Sequence, residues 1–113
     1  GRMKIRLYIA GPMTGLPALN FPAFHAAAAH YRARGYEVIN PAEINPDPTT
    51  DRAVCMRKDI AQLLTCHEIA LLPGWQNSPG AKLERDIALQ IGIKVQEAYF
   101  LEPEVFTESG VLA

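Results

Sequence analysis

Cysteine is scarce in this chain: Cys55 and Cys66 are the only two among 113 residues. On one helix, residues that far apart in sequence lie about 16 Å from each other, too far to bridge. A disulfide scaffold is excluded, and the pair fits a reducing, cytoplasmic compartment. Histidine is nearly as sparse. His25, His30 and His67 show no i,i+4 pair and no spacing with cysteine that suggests zinc, so no metal site is expected. Charge of one sign is missing too, with a net charge of -1 and no basic run. That leaves no electrostatic footprint for a nucleic-acid polymer and no polybasic patch for a membrane surface. No apolar run approaches the ~20 residues that span a bilayer, and no signal-peptide pattern opens the chain. Gly1 and Arg2, ahead of Met3, read as a tag remnant.

What is present is an ordinary folding composition, 49% hydrophobic and 20% charged. The length suits one domain with one core, taken as residues 3–113. Residues 4–10 read as a strand broken by Gly11-Pro12. Asn20 is expected to cap a helix over residues 21–34, with Phe21, Phe24, Ala28 and Tyr31 at helical spacing and Gly35 as its stop. Residues 37–40 form a short strand, followed by a proline-rich loop over 41–48. A second helix spans about 51–65, with Met56, Ile60, Leu63 and Leu64 on one face. Residues 68–72 are nearly all apolar, as a strand buried on both sides must be. A loop, a third helix and a strand at 93–96 follow. The tail from Glu102 holds either a short fifth strand or a helix near Val105. Such alternation predicts an α/β, flavodoxin-like (Rossmann-like) three-layer sandwich with a parallel sheet of four or five strands. Ligands of such sheets bind beyond the carboxyl ends of the strands. The loops beginning at Ala10, Pro41 and Pro73 share that edge.

One carboxylate sits where it should not. In the third helix Ser78 is the N-cap, Pro79 the first helical residue and Gly92 the stop. Ala81, Ile87, Ala88 and Ile91 form an apolar stripe, and Glu84 falls near its middle, about one turn too deep to cap the helix. A charge facing a core costs several kcal/mol unless it is paired or lines a cavity. The bland account is a Glu that snorkels away or pairs with an Arg; the sharper one is a carboxylate aimed into a pocket. Asp59 borders the apolar face of the second helix, where pairing with Arg57, Lys58 or Lys82 is the bland account. Two acids on one crevice suit glycosidic chemistry, one as nucleophile and one handling a proton. Ser78 and Gly80 lie at a helix N-terminus that offers free N–H groups. Tyr8 belongs either to the core or, through its hydroxyl, to the crevice. Trp75 is either a base-stacking wall or a cover for the sheet edge.

Three phrases carry a family resemblance: Tyr8-Ile9-Ala10-Gly11-Pro12, Arg57-Lys58-Asp59-Ile60, and Ser78-Pro79-Gly80-Ala81-Lys82-Leu83-Glu84. Together they resemble the three motifs of the nucleoside 2-deoxyribosyltransferase superfamily, which includes 2'-deoxynucleoside 5'-monophosphate N-glycosidases. Residues 10–16 and 72–75 resemble a short bacterial and phage branch of it. The resemblance implies that Glu84 attacks the sugar C1' and displaces the base, that Asp59 assists, and that Tyr8 contacts sugar or nucleophile. Gly11, Pro12, Met13, Trp75, Ser78 and Gly80 are the substrate-binding residues it implies. It further implies a nucleoside or nucleotide substrate, no cofactor, and a homo-oligomer. The chain departs from the monophosphate hydrolases at Pro12 and Thr14, where they carry serine and arginine. His67 stands where the family often has aspartate, and the tail lacks the asparagine that transferases lend to a neighbouring site. Assembly is also expected from the apolar face of the first helix, with the tail or residues 41–50 reaching a neighbour's crevice. Two rivals share the fold. One is a non-catalytic nucleotide-binding module. The other is a receiver-like domain, which would need acids where strands one and three instead end in Ala10-Gly11 and Leu72-Pro73.

Overall fold

Strand β1 (Arg6–Ala10) turns alternate side chains to opposite faces of a sheet. Leu7 and Ile9 join one core, Tyr8 and Ala10 the other, and all four are buried. The computed structural model describes residues 3–98. Within them, β1 is joined by β2 (Glu37–Ile39), β3 (Glu68–Leu71) and β4 (Lys94–Glu97). The order is β2-β1-β3-β4 and every pairing is parallel. Helix α1 (Phe21–Ala33) covers one face, packing Phe24, Ala27, Ala28 and Tyr31 on Leu7, Ile9, Ala70 and Leu72. Helices α3 (Arg52–Leu63) and α4 (Pro79–Gln90) cover the other, with Leu63, Ala81 and Ala88 against Tyr8, Ile69 and Leu71. The molecule is thus the α/β, flavodoxin-like three-layer sandwich that the alternation predicts, with four strands among the described residues.

The chain leaves β1 toward β2 and later crosses to β3, so strand order reverses at the paired ends Ala10 and Leu71. A crevice opens at such a switch point. Its tightest element is Gly11, where an added Cβ would lie 2.7 Å from Leu72 Cβ. Only glycine lets the backbone pass there.

Several local expectations are corrected. Asn20 precedes α1 but does not cap it; it adopts φ 59, and its amide donates instead to Pro12 O at 3.0 Å. Ala18 and Leu19 share this left-handed conformation, which costs each residue about 1–2 kcal/mol. The proline-rich stretch after β2 contains a short helix, α2 (Pro41–Ile44), because Asn40 caps it by accepting from Ala42 N. Leu64 and Ile91 lie just past their helices and are 55% and 53% exposed, so the apolar faces end sooner than the spacing suggests. The face of α1 is covered within one chain: Phe24, Ala28 and Tyr31 are buried and Phe21 is partly so. It therefore supplies no patch for a partner. Residues 99–113 lie outside the described residues, and with them the expected fifth strand or helix and the tail contact. No described helix is long and apolar enough to cross a membrane.

Candidate active site

Helix α4 sets the position of Glu84. Ser78 Oγ accepts from Ala81 N at 3.2 Å, Pro79 opens the helix, and Ala81 and Ala88 let it approach the sheet closely. Between those alanines Glu84 is carried inward and is only 5% exposed. Its Oε2 accepts a hydrogen bond from the hydroxyl of Tyr8. Tyr8 has no exposure at all, so both sequence readings of it hold: its ring is core and its hydroxyl reaches the site. Burial pushes the Glu84 carboxyl up to about 8, against the pull of the Tyr8 hydrogen bond and with a further push from Asp59. Tyr8 is itself held well above the usual phenol value, by burial first and then by the charge of Glu84.

Asp59 is the second acid. It faces inward from α3, is 7% exposed, and accepts from Asn45 Nδ2 at 2.8 Å through Oδ1. Burial raises its carboxyl to about 6, although the Asn45 hydrogen bond lowers it. Among the described residues neither acid forms an ion pair, so the surface pairings with Arg57, Lys58 or Lys82 are absent. At neutral pH Asp59 is mostly ionised and Glu84 mostly protonated. Two titrating groups pushed apart by their surroundings are the usual basis of acid–base division of labour.

Both acids, Tyr8 and Asn45 line one cavity of about 250 Å³ at the switch point. That is just under the ~300–1,000 Å³ typical of small-molecule sites. Gly11, Pro12, Met13, Ser78 and Gly80 line it too, as the motifs suggest. Phe21, Leu19 and Met56 add an apolar wall that no motif announced. Trp75 is the exception. It packs at the sheet edge, donates through Nε1 to Glu97 Oε1 at 2.9 Å, and carries the Arg85 guanidinium 4.9 Å above its ring. Of its two readings, the edge cover is the one realised. Segment 41–50 also departs from expectation: Pro41, Asn45, Asp47, Pro48 and Thr50 line their own chain's cavity. Asn45, the residue that donates to Asp59 in the cavity, is one that sequence reasoning misses, hidden in a proline-rich stretch. Its one signal is position, since the loop after β2 must open on the ligand edge. Among the described residues no group of three or more His, Cys, Asp or Glu could hold a metal ion.

A search of the curated proteins finds no match to the chain. A family model described as domain of unknown function (DUF4406) matches residues 5–97. That span takes in all four strands, the helices on both faces and every residue around the cavity. The chain therefore belongs to the DUF4406 family.

Proposed function

We propose that the domain cleaves or transfers the N-glycosidic bond of a (deoxy)nucleoside or nucleotide, with Glu84 as the nucleophile. The observation that carries this reading is the Tyr8–Glu84 hydrogen bond at the wall of a cavity that also holds Asp59. It joins the first and third of the motifs that resemble the deoxyribosyltransferases. In the ionised form, the free Glu84 oxygen attacks C1', and the base departs with the electron pair of the C–N bond. Asp59, ionised at rest, accepts the proton that Glu84 gives up and passes it to the departing base. A glycosyl ester on Glu84 remains, and water or an acceptor base then attacks it. Positive charge developing on the sugar favours ionised Glu84, so substrate binding draws its proton away. The nucleophile is a side chain, so this reading needs no metal or organic cofactor.

The test is incubation with a panel of nucleosides and monophosphates, following free base with and without an acceptor base. Wild type should release base from at least one of them. Glu84→Gln should lower that rate by ~10³-fold or more, since an amide cannot attack the sugar. Absence of base release across the panel would leave the rival, a non-catalytic nucleotide-binding module. One observation favours the rival: burial keeps Glu84 mostly neutral at pH 7 when the cavity is empty.

We also propose a homo-oligomer. In its support, Leu64, Leu83, Leu89 and Ile91 stand 46–55% exposed at the ends and outer side of α3 and α4. Light scattering at micromolar concentration should give at least twice the chain mass; a value near 12.4 kDa would sink the idea.

A further inference from the structure

Each acid of the cavity is held by one donor through one oxygen. Tyr8 holds Glu84 through Oε2 and Asn45 holds Asp59 through Oδ1. No described residue hydrogen-bonds to Glu84 Oε1 or Asp59 Oδ2, and neither is among the sealed, unpartnered buried atoms. Those two oxygens are what the cavity offers a ligand. The resemblance to known enzymes accounts for Tyr8; nothing in it accounts for Asn45.

We propose that Asn45 is a positioning residue, fixing one oxygen of Asp59 so that the other is presented to the cavity as an ionised acceptor. Three observations carry this. First, Asn45 is itself fixed. It is 8% exposed, its backbone N–H closes α2 on Pro41 O at 2.9 Å, and Pro46 follows it. Second, its amide turns the NH₂ toward Asp59, so that Oδ1 is held as an acceptor, the role every oxygen of a carboxylate takes. Third, that orientation leaves Asn45 Oδ1 buried without a partner. A sealed carbonyl costs stability, and the opposite orientation would cost more only if Asp59 is charged. The amide therefore serves the charge on Asp59 at the expense of its own carbonyl.

The other groups around Asp59 do not share the task. Asp59 pushes up the acids of Glu84 on α4, Tyr8 on β1 and Cys55 one turn earlier on α3, and none of the three lowers the Asp59 carboxyl. Asp47 and Arg52 line the same cavity without bonding to it. Among the described residues Asn45 alone hydrogen-bonds to Asp59.

Carboxyl ¹³C NMR titration tests this without requiring any reaction. In Asn45→Ala the Asp59 midpoint should rise by about one pH unit, because a bond to the charged form is lost. Asn45→Gln should restore part of it. An unchanged midpoint in folded Asn45→Ala overturns the proposal. Should that variant fail to fold, wild type still decides. The Asn45 side-chain NH₂ signals should titrate with the Asp59 midpoint, and signals that ignore it overturn the proposal equally. A second readout rests on the N-glycosidic reading: the acid limb of the base-release profile should move up with the midpoint. If wild type releases no base, that reading fails while the NMR result stands.

Discussion

The two faces of the sheet use the same strands for opposite ends. On the α1 face, Leu7, Ile9, Ala70 and Leu72 meet Phe24, Ala27 and Ala28, and the buried acid beside them, Glu68, accepts from Gln96 Nε2, whose Oε1 in turn accepts from the Tyr31 hydroxyl. On the α3–α4 face, the alternate residues of the same strands meet Ala81, Ala88 and Leu63, and beside them lie buried Tyr8, Asp59 and Glu84. Strand alternation alone makes this split, since each strand serves both faces at once. The first face is free to maximise stability. The second holds two carboxyls raised by burial and an amide with an unpaired carbonyl, all of which oppose folding. Such strain persists where a site requires it.

The sharpest way to break the comparison is to remove apolar bulk from the first face. Phe24→Ala should cost about 3–5 kcal/mol, as large-to-small changes at fully buried aromatics do. Chemical denaturation measures it. Because Phe24 also touches the cavity, ligand affinity should be read in the same protein. A loss under about 1 kcal/mol would mean that the α1 face is not the stabilising side.

On the second face the expected effect depends on pH. Folding raises the Glu84 carboxyl from 4.5 to about 8, so between those values the unfolded chain releases a proton that the folded chain keeps. Stability from this group is complete below about 4.5 and is lost as pH rises through about 8. Asp59 acts in the same direction, from 3.8 to about 6. Wild type should therefore lose on the order of 4 kcal/mol between pH 5 and 8.5 through Glu84 alone, because one retained proton is worth about 1.4 kcal/mol for each pH unit crossed. Glu84→Gln should flatten most of that slope and be the more stable protein at the alkaline end. A wild-type curve that is level or rises over this range would refute the burial account of Glu84.

How much of this was legible depended on whether a residue's role follows from regular spacing. Glu84 could be read because 3.6-residue periodicity puts it between Ala81 and Ala88. Asp59 could be read as the neighbour of Met56 on a helix face, and the sheet from its apolar runs. Asn45 could not, because its role is set by the path of an irregular, proline-bounded segment across the top of α3. Trp75 was ambiguous for the same reason: loop direction, which no periodicity records, sends it to the sheet edge. The left-handed run Ala18, Leu19 and Asn20 was equally hidden, since neither Ala18 nor Leu19 favours that conformation as glycine or asparagine does. Leu64 and Ile91 misled in a different way, because periodicity continues past the point where the sheet stops.

The smallest expected effect separates structure from recognition at the start of α4. Ser78 Oγ accepts from Ala81 N, so Ser78→Ala should cost about 1 kcal/mol through the lost cap, whatever the cavity binds. Ser78 and Gly80 both line the cavity, where the first turn of a twelve-residue helix favours negative charge. The cap also seats the turn that leads to Glu84, so a purely structural defect should weaken every ligand alike. Affinities of Ser78→Ala for a nucleoside and its 5'-monophosphate, measured by calorimetry, distinguish the two. If this end holds a phosphate, the monophosphate should lose about tenfold to a hundredfold more than the nucleoside, the size of one hydrogen bond to a charged group. Equal losses would confine Ser78 to capping. Phosphate recognition would then need another source, since Pro12 and Thr14 in the first loop offer neither a cation nor the serine of the monophosphate hydrolases.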